Sequence, residues 1–382
     1  MFLQSMCHSC LSIFILSASI TENRLNLFHD AIRYEKTEGK GMLGQKEGKY
    51  QRRLRQVLVS GVWILLTWTF GVAAGSAASG EIPLFRIGTG GPMGVYYPVG
   101  RALAMGFSST GTAAGRVAVA QTSGGSVANV RALANEEIEA GLVQADVAFQ
   151  ARQGMGPFSS GKKVPLKAIA SLYPERLQIL VRRDANIRRF TDLKRKAVSL
   201  DESGSGTLAV MRIALEFHGL KETDLDPVYL KPEFTIERLA RGQLDGISLM
   251  SGTPAPAIVE IMGPDFTLVP IDPGTAGAIH REHPYFLPGV IPDGIYPGIP
   301  ETPTLEVYAL LLVREDIDAD LVYDLTRILW SDETRELLRQ AHPLGHAVTM
   351  QTALHGLTVG LHPGAIRFYR QQKGLPKGDA IP

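Results

Sequence analysis

The sequence predicts an α/β protein built as two lobes around a ligand cleft. Three observations carry that expectation. Short apolar runs alternate with helical stretches through the body of the chain, which is the pattern of an α/β fold. Three times a glycine-rich turn joins a strand to a helix. Two apolar strands, 178–181 and 307–313, bracket a second unit, so the first lobe is discontinuous in sequence and the second is inserted. In such folds a ligand sits where strand ends and helix starts converge.

The elements follow in order. Residues 84–88 read as a strand that stops at glycines, and 98–107 as the helix after it. A strand at 116–120, a helix at 126–134 and a strand at 140–143 come next. Two apolar strands, 167–170 and 178–181, flank Tyr173-Pro174. The unit is strand–helix–strand throughout, so its sheet is expected to be largely parallel. From Arg183 onward, 190–193 reads as a short helix with Thr191 or Asp192 bonding its exposed amides. Strand 197–200, helix 207–218 ended by Gly219, helix 236–241 and strand 246–250 follow. Frequent proline over 284–303 rules out regular helix and predicts an irregular crossing segment. Strand 307–313 and helices 320–329 and 333–339 complete the set. Lobe 1 is expected over 79–182 and 308–382, and lobe 2 over 183–307.

Composition narrows the function. The chain has 382 residues, is 45% hydrophobic and 20% charged, and carries a net charge of +1. That balance excludes a nucleic-acid binder, which needs a basic face. Cys7 and Cys10 form a CxxC pair with no further metal ligands nearby, so no metal and no cofactor is expected. Residues 46–55 are basic, 57–74 apolar, and 75–79 small. Basic head, apolar middle and small-residue tail make a secretory signal over 42–78, with cleavage after Ala78. The alternative is an uncleaved anchor, because the apolar run approaches the ~18 residues that span a bilayer. Residues 1–41 read as a gene-start extension, with translation expected from Met42. Either way the body lies outside the cytoplasm, in the periplasm.

The turns carry the chemistry. Gly88-Thr89-Gly90-Gly91-Pro92-Met93-Gly94 leads into Val95-Tyr96-Tyr97-Pro98. Glycines let a ligand approach the backbone, and the helix start behind them offers free N–H groups to an anion. A dinucleotide loop is excluded, because Met93 stands where the third glycine belongs and no acid ends a second strand. Thr122-Ser123-Gly124-Gly125-Ser126 repeats the design ahead of Asn129, and Ser203-Gly204-Ser205-Gly206-Thr207 repeats it in the second unit. Hydroxyls and amides converging from both lobes would hold a carboxylate without a buried cation. One of Tyr96 and Tyr97 is expected to wall the site and the other to pack in the core.

Other motifs lead elsewhere. Ser159-Ser160-Gly161-Lys162 contains S-x-x-K without partner motifs, and neither Ser123 nor Ser205 has the hydrolase G-x-S-x-G elbow. Pro343 breaks the helix that would align His342 with His346. His280 and His283 precede Pro284 and read as exposed loop. Lys194-Arg195-Lys196 reads as solvated surface, with a docking patch as the alternative. Arg101 and Arg131 are the arginine candidates for a carboxylate, each more in keeping with a helix exterior.

Taken in order, these residues resemble the TAXI branch of the TRAP-transporter solute receptors. The matching pieces are the first turn through Tyr96-Tyr97-Pro98, Gly124-Gly125-Ser126-Val127-Ala128-Asn129, and Gly141-Leu142-Val143-Gln144-Ala145-Asp146. Ala170-Ser171-Leu172-Tyr173-Pro174-Glu175, Gly204-Ser205-Gly206-Thr207, Gly252-Thr253-Pro254-Ala255-Pro256 and Leu361-His362-Pro363-Gly364-Ala365 follow in the family order. The resemblance runs from residue 85 to residue 374. It implies a type II periplasmic-binding-protein fold that closes on its ligand and docks on TRAP membrane subunits driven by an ion gradient. It also implies ligands like glutamate, glutamine and 2-oxo dicarboxylates. By position it assigns ligand contacts to Thr89, Gly91, Tyr96, Ser123 and Ser126. It further assigns Asn129, Gln144, Tyr173, Ser205 and Thr207. Gly90, Ser203 and Gly206, from the turns themselves, complete the expected set. Two departures stand out: Asn135-Glu136-Glu137-Ile138-Glu139 replaces a Gly-Glu-Ala-Asp-like turn, and Glu202 precedes the third turn. An acid at Glu202 repels a dianion or favours a ligand with an amino group.

The expected function is therefore a monomeric, non-enzymatic receptor for a small anionic solute, meeting the membrane only through its transporter or an uncleaved signal. A sensor or scaffold that signals to a membrane partner is the alternative. An enzyme on a binding-protein fold is disfavoured, since no nucleophile–base pair is visible.

Overall fold

The computed structural model describes residues 83–109, 115–161 and 163–372. The CxxC pair, the extension 1–41, the signal 42–78 with Ala78, and Lys162 lie outside them. Everything below belongs to the unit Glu81–Pro382.

Apolar strands feed polar turns and amphipathic helices in regular alternation. β1 (Leu84–Gly88) leads to α1 (Tyr96–Ser109), β2 (Val117–Gln121) to α2 (Ser126–Ala134), and β3 (Ala140–Gln144) to α3 (Ala145–Gln153). β1 pairs in parallel with both β2 and β3. β3 is buried at every position, as a strand covered on both faces must be, and its sequence is accordingly apolar without alternation. α1 starts two residues earlier than the sequence predicts, because Pro98 is tolerated in a first turn, where its missing N–H had no partner.

β4 (Leu166–Arg182) corrects the expectation of two strands around Tyr173-Pro174. It is one strand of 17 residues. Pro174 falls where β4 is laddered to a neighbour at Tyr308 and has not yet met its partner on the other flank, whose pairing begins at Arg176. A residue without an N–H fits there.

β5 (Ala197–Ser199) then leads to α4 (Gly206–Phe217), β6 (Asp226–Val228) to α5 (Pro232–Ala240), and β7 (Gly246–Ser251) to α6 (Pro256–Ile261). β8 (Phe266–Leu268), α7 (Pro273–Glu282), β9 (Leu287–Ile291) and β10 (Thr302–Arg314) follow. α8 (Ala319–Leu329), α9 (Asp332–Ala341) and α10 (Pro363–Gln371) close the described chain. The short turn at Phe190–Leu193 is tied by Asp192, whose Oδ2 accepts from the Arg188 and Arg189 amides at 3.0 and 2.9 Å.

The segment 284–303 is also corrected. It holds β9, which pairs antiparallel with Thr302–Glu306 of β10. Pro288 is accommodated because β9 is paired on one side alone. His280 and His283 are not loop residues in solvent. His280 lies in α7 with Nδ1 2.6 Å from the Phe286 carbonyl, and His283 packs beside Tyr285, whose hydroxyl is 3.1 Å from its Nδ1.

The strands form one sheet of ten, in the order β2-β1-β3-β10-β4-β7-β5-β6, with β8 on β4 and β9 on β10. Both ends are parallel, the first as expected. The centre is not: β10 runs antiparallel to β3 and β4, and β4 runs antiparallel to β7. An antiparallel neighbour needs no crossover helix, so β10 can return from β9 and slot between strands made long before it. β10 and β4 lie side by side between the two halves, and Leu310 to Val313 are wholly buried there. The sheet therefore delivers the carboxyl ends of β1, β2 and β3 from one side, and of β5 and β7 from the other, to a common place.

Candidate functional site

At that place lies a cleft of about 70 Å³. Gly90, Gly91, Tyr96, Ser123, Ser126, Gln144, Ser205, Gly206 and Thr207 line it. All three glycine-rich turns thus meet at one site.

The first two turns are stitched together from behind. Asn129 Nδ2 donates to the carbonyls of Thr89 at 2.7 Å and Leu142 at 2.8 Å, and Thr89 donates through N and Oγ1 to Gln121 O at 2.9 and 2.8 Å. Ser123 Oγ accepts from Gly125 N–H at 2.9 Å and lies 2.7 Å from Asn129 Oδ1. A Cβ on Gly88 would stand 2.6 Å from that Oδ1. Thr89 and Asn129 are completely buried and spend their bonds on the scaffold. They hold the turns and do not line the cleft.

Tyr96 divides from Tyr97. The Tyr96 hydroxyl donates to Glu175 Oε2 at 3.0 Å and lies 3.3 Å from Ser126 Oγ, which accepts from Gln144 N–H at 3.1 Å. Tyr97 faces away, beneath the Arg101 guanidinium. Arg101 and Arg131 are exposed on helix exteriors, outside the cleft.

The third turn is built on α4. Ser205 Oγ caps the helix at Leu208 N–H, 3.0 Å away, and Thr207 Oγ1 accepts from Met250 N–H at 3.1 Å. Gly204 sits at φ 105°, a backbone region open to glycine. A Cβ on Gly206 would collide with the Gln144 amide, which lies flat against it. Ser203 is exposed, and Tyr173 is buried beside Gly252; neither lines the cleft.

The two halves touch across the cleft. Ala128 N–H donates to Gly204 O at 3.0 Å, joining the second turn to the third. Lys231 Nζ lies 3.2 Å from Glu202 Oε1 and 3.4 Å from Ser123 O. Met93 N–H lies 3.4 Å from Glu233 Oε1, and a Cβ on Gly91 would strike the same carboxylate.

Charge is where the sequence reading fell short. Glu175, Asp201, Lys231 and Glu233 also line the cleft. Burial pushes Glu175 well above the carboxylate range, against the Tyr96 hydrogen bond, with Asp146 adding to the rise. Burial takes Asp201 up to about 6, against the Glu202 amide and the Thr207 and Ser205 hydroxyls. Asp146, at the start of α3, is completely buried, and burial lifts it to about 7. A signal existed for Lys231 and Glu233. Lys231-Pro232-Glu233 opens α5 just beyond a strand, the same place a glycine turn occupies elsewhere.

Among the described residues no cluster of three or more His, Cys, Asp or Glu could hold a metal, and no helix is long and apolar enough to cross a membrane.

A family model described as NMT1-like matches residues 87–372. The chain belongs to the NMT1-like family. The cleft of this family member is drawn wholly from within that match. In structure the chain is similar to the periplasmic aliphatic sulphonate binding protein SsuA of Escherichia coli, at 16% identity and a TM-score of 0.41, over 76% of this chain and 83% of that one. It is similar to the alkanesulfonate-binding protein SsuA of Xanthomonas axonopodis pv. citri, bound to MOPS, at 14% identity and a TM-score of 0.37, over 78% and 96%. A periplasmic substrate-binding protein of an ABC transporter from Coxiella burnetii is similar at 15% identity and a TM-score of 0.39, over 70% and 99%.

Proposed function

We propose that this chain is an extracytoplasmic solute-binding receptor that captures a small carboxylate in the cleft and delivers it to a membrane transporter. The observation that carries the reading is the meeting of three strand-end turns from both halves of the sheet at one cleft. The amides of Ser126 and Val127 at the start of α2, and of Gly206 and Thr207 at the start of α4, have no acceptor among the described residues. Such amides, with the helix dipole behind them, favour a carboxylate.

The lobes would be 79–182 with 308–382, and 183–307, joined through β4 and β10. In the finer reading the chain is a TAXI-type receptor of a TRAP transporter, with glutamate, glutamine or a 2-oxo dicarboxylate as cargo. The ordered motifs from the first turn to Leu361-His362-Pro363-Gly364-Ala365 support it. The basic, apolar and small-residue order of 46–79 supports export.

A melting series on the chain from Ser79 onward, across a panel of small acids and amino acids, tests the reading. A solute that binds only the folded form adds RT ln(1 + [L]/Kd), about 2.7 kcal/mol at a hundredfold excess over Kd. One member of the panel should raise Tm by several degrees. A folded protein that no member stabilises would remove the receptor reading.

A further inference from the structure

Within the receptor reading, the cleft has a charge balance that selects its cargo. Four carboxyls line it; burial favours the neutral form of Glu175 and, less strongly, of Asp201, which leaves Glu202 and Glu233 against one ammonium, that of Lys231. Lys231 is already committed to Glu202 and to the Ser123 carbonyl. No arginine lines the cleft. An acidic lining alone says little, but the unpartnered atoms point the same way. Gln144 is 3% exposed and its Oε1 has no hydrogen-bond partner; Glu233 Oε2 is buried and also has none. Both are acceptors, and an unmet buried acceptor asks for a donor from outside.

We propose that the captured solute carries a protonated amine, received by Glu233 and Gln144, and bears no net negative charge. The proposal rests on the receptor reading. The free amides at the starts of α2 and α4 can satisfy one carboxylate, and the ammonium neutralises the Glu233 side. A second carboxylate would find no cation and would face Glu202 and Glu233. A zwitterionic amino acid fits this balance. An acidic amino acid fits it less well, and a 2-oxo dianion least.

Calorimetry on the chain from Ser79 onward decides, with three series: neutral amino acids, acidic amino acids and their 2-oxo counterparts on matched carbon skeletons. On the skeleton that binds, the neutral amino acid should exceed the acidic one by at least about tenfold. The acidic one should in turn exceed the 2-oxo dianion. Glu233→Gln should weaken the amino member about tenfold or more and leave its 2-oxo counterpart unchanged or tighter. A merely structural loosening would weaken both alike, and that result overturns the assignment of Glu233. A 2-oxo dianion binding as tightly as its amino counterpart overturns the proposal while leaving the receptor reading standing. Silence from all three series with a folded protein sinks both.

Discussion

Tyr96 shows how much one hydroxyl can organise. It donates a hydrogen bond to Glu175, which is 2% exposed, and it lies within reach of Ser126 at the head of α2. Tyr96→Phe keeps the ring and removes the bond, leaving Glu175 without that donor. Loss of a partner by a buried polar group costs about 1–3 kcal/mol, so urea unfolding should show a drop in that range and solute affinity should fall with it. An unchanged midpoint would mean that Glu175 finds another donor. The glycine turns and Tyr96 were legible because glycine before a helix and an aromatic beside it leave a mark on the sequence. Glu175 was not. An acid between Pro174 and Arg176 is silent about which face it takes, and only the pairing of β4 with its neighbours turns it into the cleft.

Among the elements, α2 is the one whose start is most constrained. Gly125 precedes it at φ 95° and ψ −153°, with no side-chain cap, in a region that side chains with a Cβ scarcely enter. Gly125→Ala should therefore cost about 1–3 kcal/mol in denaturant unfolding, although alanine is the better helix former. A variant as stable as the parent would show that the turn relaxes to another conformation. Strand-to-helix alternation was readable for β1 to α2 and again for α4 and α8, where apolar period and punctuation agree. It failed at β4, where Pro174 looked like a break, and at α7, whose Pro273, Gly274 and Gly277 resemble a loop. In both cases tertiary pairing overrode a weak local signal, although Asp272 capping Gly274 N–H at 2.9 Å is a start signal in plain view.

For the molecule as a whole, the buried acids set a pH dependence. Asp146 holds its proton to about pH 7 when folded, against about 3.9 for a free aspartate, and Asp201 to about 6. From about pH 4 up to those values the folded chain binds protons that the unfolded chain has lost, so these two groups make stability fall as pH rises from 4 to 7. The Asp146 share is at most about 4 kcal/mol, at 1.36 kcal/mol per pH unit. Asp146→Asn should flatten the fall of Tm between pH 4 and 7 and melt higher than the parent at pH 8. Parallel curves for parent and variant would place the dependence elsewhere. The central antiparallel pair β4 and β10 was only half legible at this scale. The sequence marks two long apolar strands, but nothing local states that residues 130 or so apart will lie side by side. That same reach brings the second and third turns into contact, where Ala128 N–H meets Gly204 O. In a receptor that opens to load, this bond breaks each time the jaws part. The rate of escape is then capped by how often the jaws part, whatever they hold. Well-fitting and ill-fitting solutes would leave on similar clocks, and discrimination between them would fall on the moment of entry.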